Sequence, residues 1–120
     1  AARMADALSI ANTIPVGDTR VGRHIDWSRF GEISPVRKRG LPADGGLSGP
    51  ECLPLTLEKV RDLRNSGITI PIVGGNGIRT TEDLKDLHRA GCDAVFVGSL
   101  SVVRPWRTRG IIRAAHEIFT

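Results

Sequence analysis

The sequence predicts an α/β fold built from parallel β-α units, and three observations carry that prediction. Short apolar segments at 6–12, 68–73 and 93–97 lack polar alternation, as expected of strands covered on both faces. Amphipathic segments at 56–65, 80–90 and 108–119 are interleaved with them. Glycines fall directly after the second and third apolar segments, at Gly74-Gly75, Gly77 and Gly98. Strands alternating with helices form parallel units with right-handed crossovers. Three such units fill about 120 residues, whereas a complete eight-fold β/α barrel needs about 250. The pattern therefore fits half of a barrel or a small open parallel sheet.

Each element has its own signal. Ala1-Ala2-Arg3-Met4-Ala5 reads as the last turn of a helix, with no cap and a strand at once behind it, as in a piece of a longer protein. Asp6 to Asn12 is the first strand. Residues 15–50 form a long irregular stretch rich in Gly, Pro, Arg and Asp, and a loop of that length in a compact domain is functional or mobile. Within it, 24–27 and 32–36 are expected to pair as a small hairpin. Trp27 and Phe30 are either a lid over a site or the packed body of the loop. Leu57, Val60 and Leu63 recur at spacing three in a helix from Thr56 to Asn65, which Gly67 stops. Ile68 to Val73 is a β-branched strand running into Gly74. Thr80 and Asp83 are spaced as a capping box, Leu84 and Leu87 give that helix its buried stripe, and Gly91 ends it. Asp93 to Val97 is a second buried strand ending at Gly98-Ser99. The last helix, Thr108 to Phe119, is expected to bury Ile111, Ile112, Ala115, Ile118 and Phe119. Pro105 fits a helix start, with Trp106 packed and its flanking arginines exposed; the other reading has the stretch Arg104-Pro105-Trp106-Arg107 place a cation near a bound phosphate.

Composition narrows the function classes. No apolar run approaches the ~18–20 residues that cross a bilayer, and the N-terminus shows no basic-then-apolar leader pattern. Cys52 and Cys92 are too few for a disulfide scaffold and lack metal-ligand spacing, so they read as reduced thiols in a cytoplasmic protein with no metal. Lys and Arg number 17 and Asp and Glu 13, a formal net charge of +4. That charge and the run Arg37-Lys38-Arg39 raise nucleic-acid binding. Aromatic residues are only 4% with no Tyr, so stacking platforms are scarce and nucleic acid is a weak expectation. His24, His88 and His116 read as surface residues.

Ligands of parallel β-α folds sit beyond the carboxyl ends of the strands. The turns to inspect follow Asn12, Val73 and Val97. The second reads Gly74-Gly75-Asn76-Gly77-Ile78 and the third Gly98-Ser99. Turns poor in side chains expose backbone N–H groups, which suit the acceptor oxygens of a phosphate. The second and third strands are consecutive, so their turns should face one point. Gly45-Gly46-Leu47-Ser48-Gly49-Pro50, just before a helix, would add its amides to the same place.

That string carries a resemblance. Gly-Gly-Leu-Ser-Gly-Pro, then Leu55, Ile70-Pro71-Ile72-Val73-Gly74 and Gly77-Ile78, resembles the carboxyl-terminal half of dihydroorotate dehydrogenases. Gly91-Cys92-Asp93-Ala94-Val95-Phe96-Val97-Gly98-Ser99 is similar to that family's final strand and phosphate turn, and Ala11-Asn12-Thr13 to its turn after the sixth strand. Ile25-Asp26 in the long loop brings the likeness nearest to the cytosolic two-subunit class and the related dihydropyrimidine dehydrogenase domain. The resemblance covers about residues 6 to 118. It implies the carboxyl-terminal part of an FMN-binding (β/α)8 TIM barrel, about three β/α units, that oxidises dihydroorotate, or a related dihydropyrimidine, to orotate. It implies that Ser48 and Gly49 meet the flavin's phosphate or ribityl side and that Gly75, Asn76, Gly77, Gly98 and Ser99 hold the phosphate. It also implies that Asn12 and Thr13 bind the pyrimidine, since an amide beside a hydroxyl can both donate and accept. Two departures stand out. Asn76 occupies a place where the family usually has glycine, and Asn tolerates left-handed backbone better than most residues. The family's catalytic Cys or Ser base and its flavin-facing Lys belong to the amino-terminal half, so no catalytic residue is expected in this chain, which would be inactive alone and need that half as partner. The resulting alternatives are a non-catalytic phosphate-binding half-barrel that forms a homo-oligomer to close its open sheet edges, or a flavoprotein similar to dihydrouridine synthases, which share the Asn-Gly turn and act on RNA.

Overall fold

A computed structural model of the chain describes residues 4–21 and 24–120. The first three positions of the helical turn expected at 1–5 lie outside the described residues. The chain forms β1 (Leu8–Ile10), β2 (Ile14–Pro15), α1 (Pro35–Lys38), β3 (Gly46–Leu47), α2 (Leu53–Asn65), β4 (Ile72–Gly74), α3 (Thr81–Ala90), β5 (Ala94–Val95), α4 (Ser99–Val103) and α5 (Pro105–Ile118). Single 3₁₀ turns occupy Thr19–Val21, Trp27–Phe30 and Pro50–Cys52.

The central sheet has the order β1-β4-β5 and every pairing is parallel. Ile10 lies opposite Gly74, and Gly74 opposite Val95, so the three strands end level with one another. The expected α/β architecture is therefore present, with β4 and β5 as neighbours. One core underlies it: Val60 of α2, Ile72 of β4, and Leu84 and Leu87 of α3 are all fully buried, and Leu100 and Ile111 join them. Spacing-three and spacing-four apolar positions on the helices supply that core, as amphipathic helices do.

The local stop signals act as the residues dictate. Thr80 Oγ1 accepts from the Asp83 N–H at 3.3 Å, and Asp83 Oδ2 accepts from the Thr80 N–H at 2.8 Å, closing the capping box of α3. Gly91 ends the same helix in the left-handed region at φ 117°. Pro105 occupies the first turn of α5.

Four expectations are corrected. No hairpin joins 24–27 to 32–36: Asp26 Oδ1 instead accepts from the Ser28 N–H and caps a 3₁₀ turn, and Ser34 caps α1 with Pro35 behind it. The antiparallel pair lies farther out, with Ile14 opposite Leu47 and Pro15 opposite Gly46. Trp106 does not pack; it is 75% exposed, and Ile112 on the same helix is 48% exposed. His24 is not a bare surface residue, because its ring nitrogen hydrogen-bonds the Glu58 carboxylate. The two readings of Trp27 and Phe30 resolve in favour of a packed loop body: their rings are tilted against each other and pack on the second cluster of Ile14, Ile25 and Cys52.

Candidate functional site

The level strand ends place three turns side by side, and β3 adds the fourth wall. Asn12 and Thr13 follow β1, Asn76 and Gly77 follow β4, Gly98 and Ser99 follow β5, and Ser48 and Gly49 follow β3. All eight line one cavity of about 400 Å³, together with Phe96, Val97, Val103, Arg79 and Arg104. That size falls in the range of small-molecule sites, roughly 300–1,000 Å³.

Side-chain bonds draw the walls together. The Ser48 and Ser99 hydroxyls are hydrogen-bonded to each other across the cavity rim. Asn76 Nδ2 donates to the Asn12 carbonyl at 2.8 Å, and Asn76 Oδ1 accepts from the Gly49 N–H at 3.3 Å. Beneath them, the buried Thr56 hydroxyl lies 3.0 Å from the Gly75 carbonyl and 3.2 Å from that of Asn76, fixing the β4 turn to α2. Gly77 sits at φ 105°, and a Cβ there would come within 2.6 Å of the Leu53 nitrogen, so only glycine lets this turn pass over α2.

Gly75 departs from the expectation. It does not line the cavity, its N–H is donated to the Ile10 carbonyl at 2.6 Å, and the Phe96 ring lies directly against it. Its amide is spent on holding β1 to β4 and is not free for a ligand. The N–H groups of Gly77, Gly98 and Ser99 differ: none donates a backbone hydrogen bond among the described residues.

The electrostatics favour an anion. The cavity is lined by Arg79 and Arg104 and by no Asp or Glu. Neither guanidinium has a carboxylate partner among the described residues. No group of His, Cys, Asp and Glu is placed to hold a metal among the described residues. Both cysteines are buried free thiols away from the lining. Burial pushes the Cys52 thiol up from its ordinary value, and burial with the neighbouring Asp93 carboxylate pushes Cys92 up to about 11. Neither presents a thiolate nucleophile at neutral pH.

Two lining residues carry no site signal in the sequence. Phe96 belongs by pattern to a buried strand; it follows Val95 by one position, so strand alternation sends it to the other face, over the cavity. Arg79 gave no pattern of its own in the sequence. It reaches the rim because its own N–H, beside that of Thr80, is drawn onto Asp83 Oδ2 at 2.8 Å.

Fold and site define a parallel β/α protein with an anion-suited cavity at the carboxyl ends of its strands. The dihydroorotate dehydrogenase family matches residues 3–118, and the chain belongs to it. It is 35% identical over 102 residues to the catalytic subunit of dihydroorotate dehydrogenase B (NAD(+)) of Bacillus caldolyticus, covering 85% of this chain and 28% of that protein. It is 32% identical over 108 residues to the like-named subunit of Anoxybacillus flavithermus, and 30% over 113 residues to that of Lachnoclostridium phytofermentans, where it covers 33% of the protein. The chain thus spans a third or less of these curated relatives. No helix among the described residues is long and apolar enough to cross a membrane.

Proposed function

We propose that this chain is the carboxyl-terminal, phosphate-gripping part of a β/α barrel in an FMN-dependent oxidoreductase that converts dihydroorotate, or a related dihydropyrimidine, to orotate. The observation that carries the reading is the convergence of the turns after β1, β4 and β5 and the string after β3 on one cavity that, among the described residues, holds two arginines without a carboxylate partner and no carboxylate. The family membership and the relatives' names support the reaction class. Their names carry NAD(+) and the words catalytic subunit; an NAD(+)-linked acceptor and a second subunit are part of the reading for the whole protein.

The residues present suit FMN. Gly77, Gly98 and Ser99 offer N–H groups to the phosphate, with Arg79 and Arg104 supplying charge at the rim. Ser48 and Gly49 border the ribityl side. Asn12 and Thr13 offer donors and acceptors to the pyrimidine's carbonyl and N–H edges. When bound, the flavin supplies a hydride acceptor; the protein supplies orientation and electrostatics. The family resemblance assigns the base that would take the substrate's other proton to the remainder of the barrel, and neither Cys52 nor Cys92 lines the cavity here. The reading keeps the chain in the cytoplasm and inactive without that remainder.

The test is a flavin titration of the chain joined with an amino-terminal half, read by quenching of flavin fluorescence, with riboflavin beside FMN. FMN should bind at least about tenfold more tightly than riboflavin, since the phosphate carries the charge-assisted contacts. Gly77→Ala should abolish that preference, because its Cβ meets the Leu53 backbone and the turn must move. Equal affinity for the two flavins, or none for either, rejects the proposal.

A further inference from the structure

We propose that Asn76 is a positioning residue whose carboxamide preassembles the cavity by clamping the Asn12–Thr13 turn to the Ser48–Gly49 string. Among the described residues Asn76 is the one non-glycine at positive φ, 66°. A side chain at that backbone conformation has a cost that glycine avoids. Here the side chain makes a return. Its Nδ2 reaches the Asn12 carbonyl, 64 positions away, and its Oδ1 takes the Gly49 N–H, 27 positions away. Its own carbonyl lies 3.2 Å from the Thr56 hydroxyl of α2, which it shares with the Gly75 carbonyl at 3.0 Å. One residue thereby ties the exit of β1, the string before α2 and α2 itself.

The clamp demands a group with a donor and an acceptor at its two ends, which a carboxamide has and a carboxylate or an alkyl chain lacks. One Nδ2 proton and one Oδ1 lone pair are thus held by protein, while the neighbouring N–H groups of Gly77, Gly98 and Ser99 donate no backbone hydrogen bond among the described residues. If Asn12 faces the pyrimidine and Gly49 the flavin tail, the clamp sets the spacing between the two ends of the site; that part rests on the function proposed above.

The clamp is read on the ligand-free chain by amide hydrogen exchange and carbonyl chemical shifts. In Asn76→Gly, exchange of the Gly49 N–H should accelerate at least about tenfold while the amides of α3 keep their protection, since glycine relieves the left-handed backbone. The Asn12 carbonyl carbon should move upfield as its hydrogen bond is lost. Asn76→Asp keeps an acceptor for Gly49 but loses the donor to Asn12. It should therefore leave Gly49 protected and still shift the Asn12 carbonyl. An unchanged Gly49 rate in the glycine variant overturns the proposal. So does a uniform acceleration that includes α3, which would make Asn76 a general stability residue. The FMN titration is a separate readout: failure of the wild type to bind rejects the functional reading, and the clamp is then decided by exchange alone.

Discussion

The two ends of the β1-β4-β5 sheet are braced in opposite ways. At the amino ends, Arg64 of α2 spreads its guanidinium over the Gly91, Ile68 and Ile70 carbonyls at 2.8–2.9 Å and the Asp93 carboxylate at 2.7 Å. Asp93 in turn accepts from the Ile72 N–H at 2.8 Å. A full charge is there consumed by protein acceptors. At the carboxyl ends the brace is neutral, the Asn76 carboxamide, while the cations Arg79 and Arg104 and the amides of Gly77, Gly98 and Ser99 find no such partners among the described residues. The amino end is finished by the chain itself; at the carboxyl end these groups face the cavity. In β/α barrels the same polarity divides stability from chemistry.

Removing the charged brace is the hardest blow to that contrast. Arg64→Ala takes the donors from the Ile68, Ile70 and Gly91 carbonyls at once and leaves the Asp93 carboxylate beside them without its cation. Hydrogen bonds to charged groups contribute about 1.5–3 kcal/mol each and are not additive, so a loss of about 2–4 kcal/mol is expected by chemical denaturation. The cavity end should keep its geometry in whatever fraction remains folded, and a loss below about 1 kcal/mol would show that the amino end is not the sheet's main brace.

A smaller effect at the same end depends on pH. Cys92 lies two positions before β5, and a Cβ added at Gly74 would come within 2.5 Å of its sulfur. Burial foremost, then the Asp93 carboxylate, holds its thiol at about 11 against an ordinary 9.0, with Arg64 pulling the other way. The folded state therefore keeps a proton that the unfolded chain releases. The stability this gives is whole below pH 9 and is lost as pH rises from about 9 to about 11. Denaturation midpoints should fall across that window, by on the order of 1 kcal/mol in stability. Cys92→Ala should flatten the fall, and an equal slope in the variant would assign it to other groups.

The core and the helix ends were legible in the sequence because they are made of short-range signals. Thr80 with Asp83, Gly91, Pro105 and the Leu84–Leu87 stripe each act within a turn or two of themselves. The cavity was legible by a different route: Gly77, Gly98 and Ser99 mark where strands stop, and level strand ends bring them together. What escaped was decided by long-range partners. Gly75 looks like its glycine neighbours until Ile10 claims its N–H. The 24–36 stretch holds alternating residues that suggest a hairpin, yet Asp26 and Ser34 offer their side chains to nearby N–H groups and turn the chain instead. Trp106 fits a packed helix by type, yet it is exposed, as are Val102 and Val103 before it. Arg64 carries no local signature, because its acceptors lie up to 29 positions away.

The smallest change in stability should come from the other cation. Arg104 sits at the joint of α4 and α5, exposed, lining the cavity and without a carboxylate partner among the described residues. Replacing it removes no protein contact that holds the fold, so Arg104→Ala should move stability by no more than about 0.5 kcal/mol, the range of exposed sites free of special features. Its effect belongs to binding. A guanidinium beside a phosphate strengthens with each charge on the ligand and weakens with salt. The variant should therefore lose affinity for FMN about tenfold at low ionic strength, lose little for riboflavin, and show a shallower salt dependence than the wild type. Arg64→Ala should do the reverse, costing stability and leaving the ratio of the two flavins alone. If Arg104→Ala instead destabilised the chain as Arg64→Ala does, the carboxyl end would be finished by the protein after all, and the division between the two ends of the sheet would not hold.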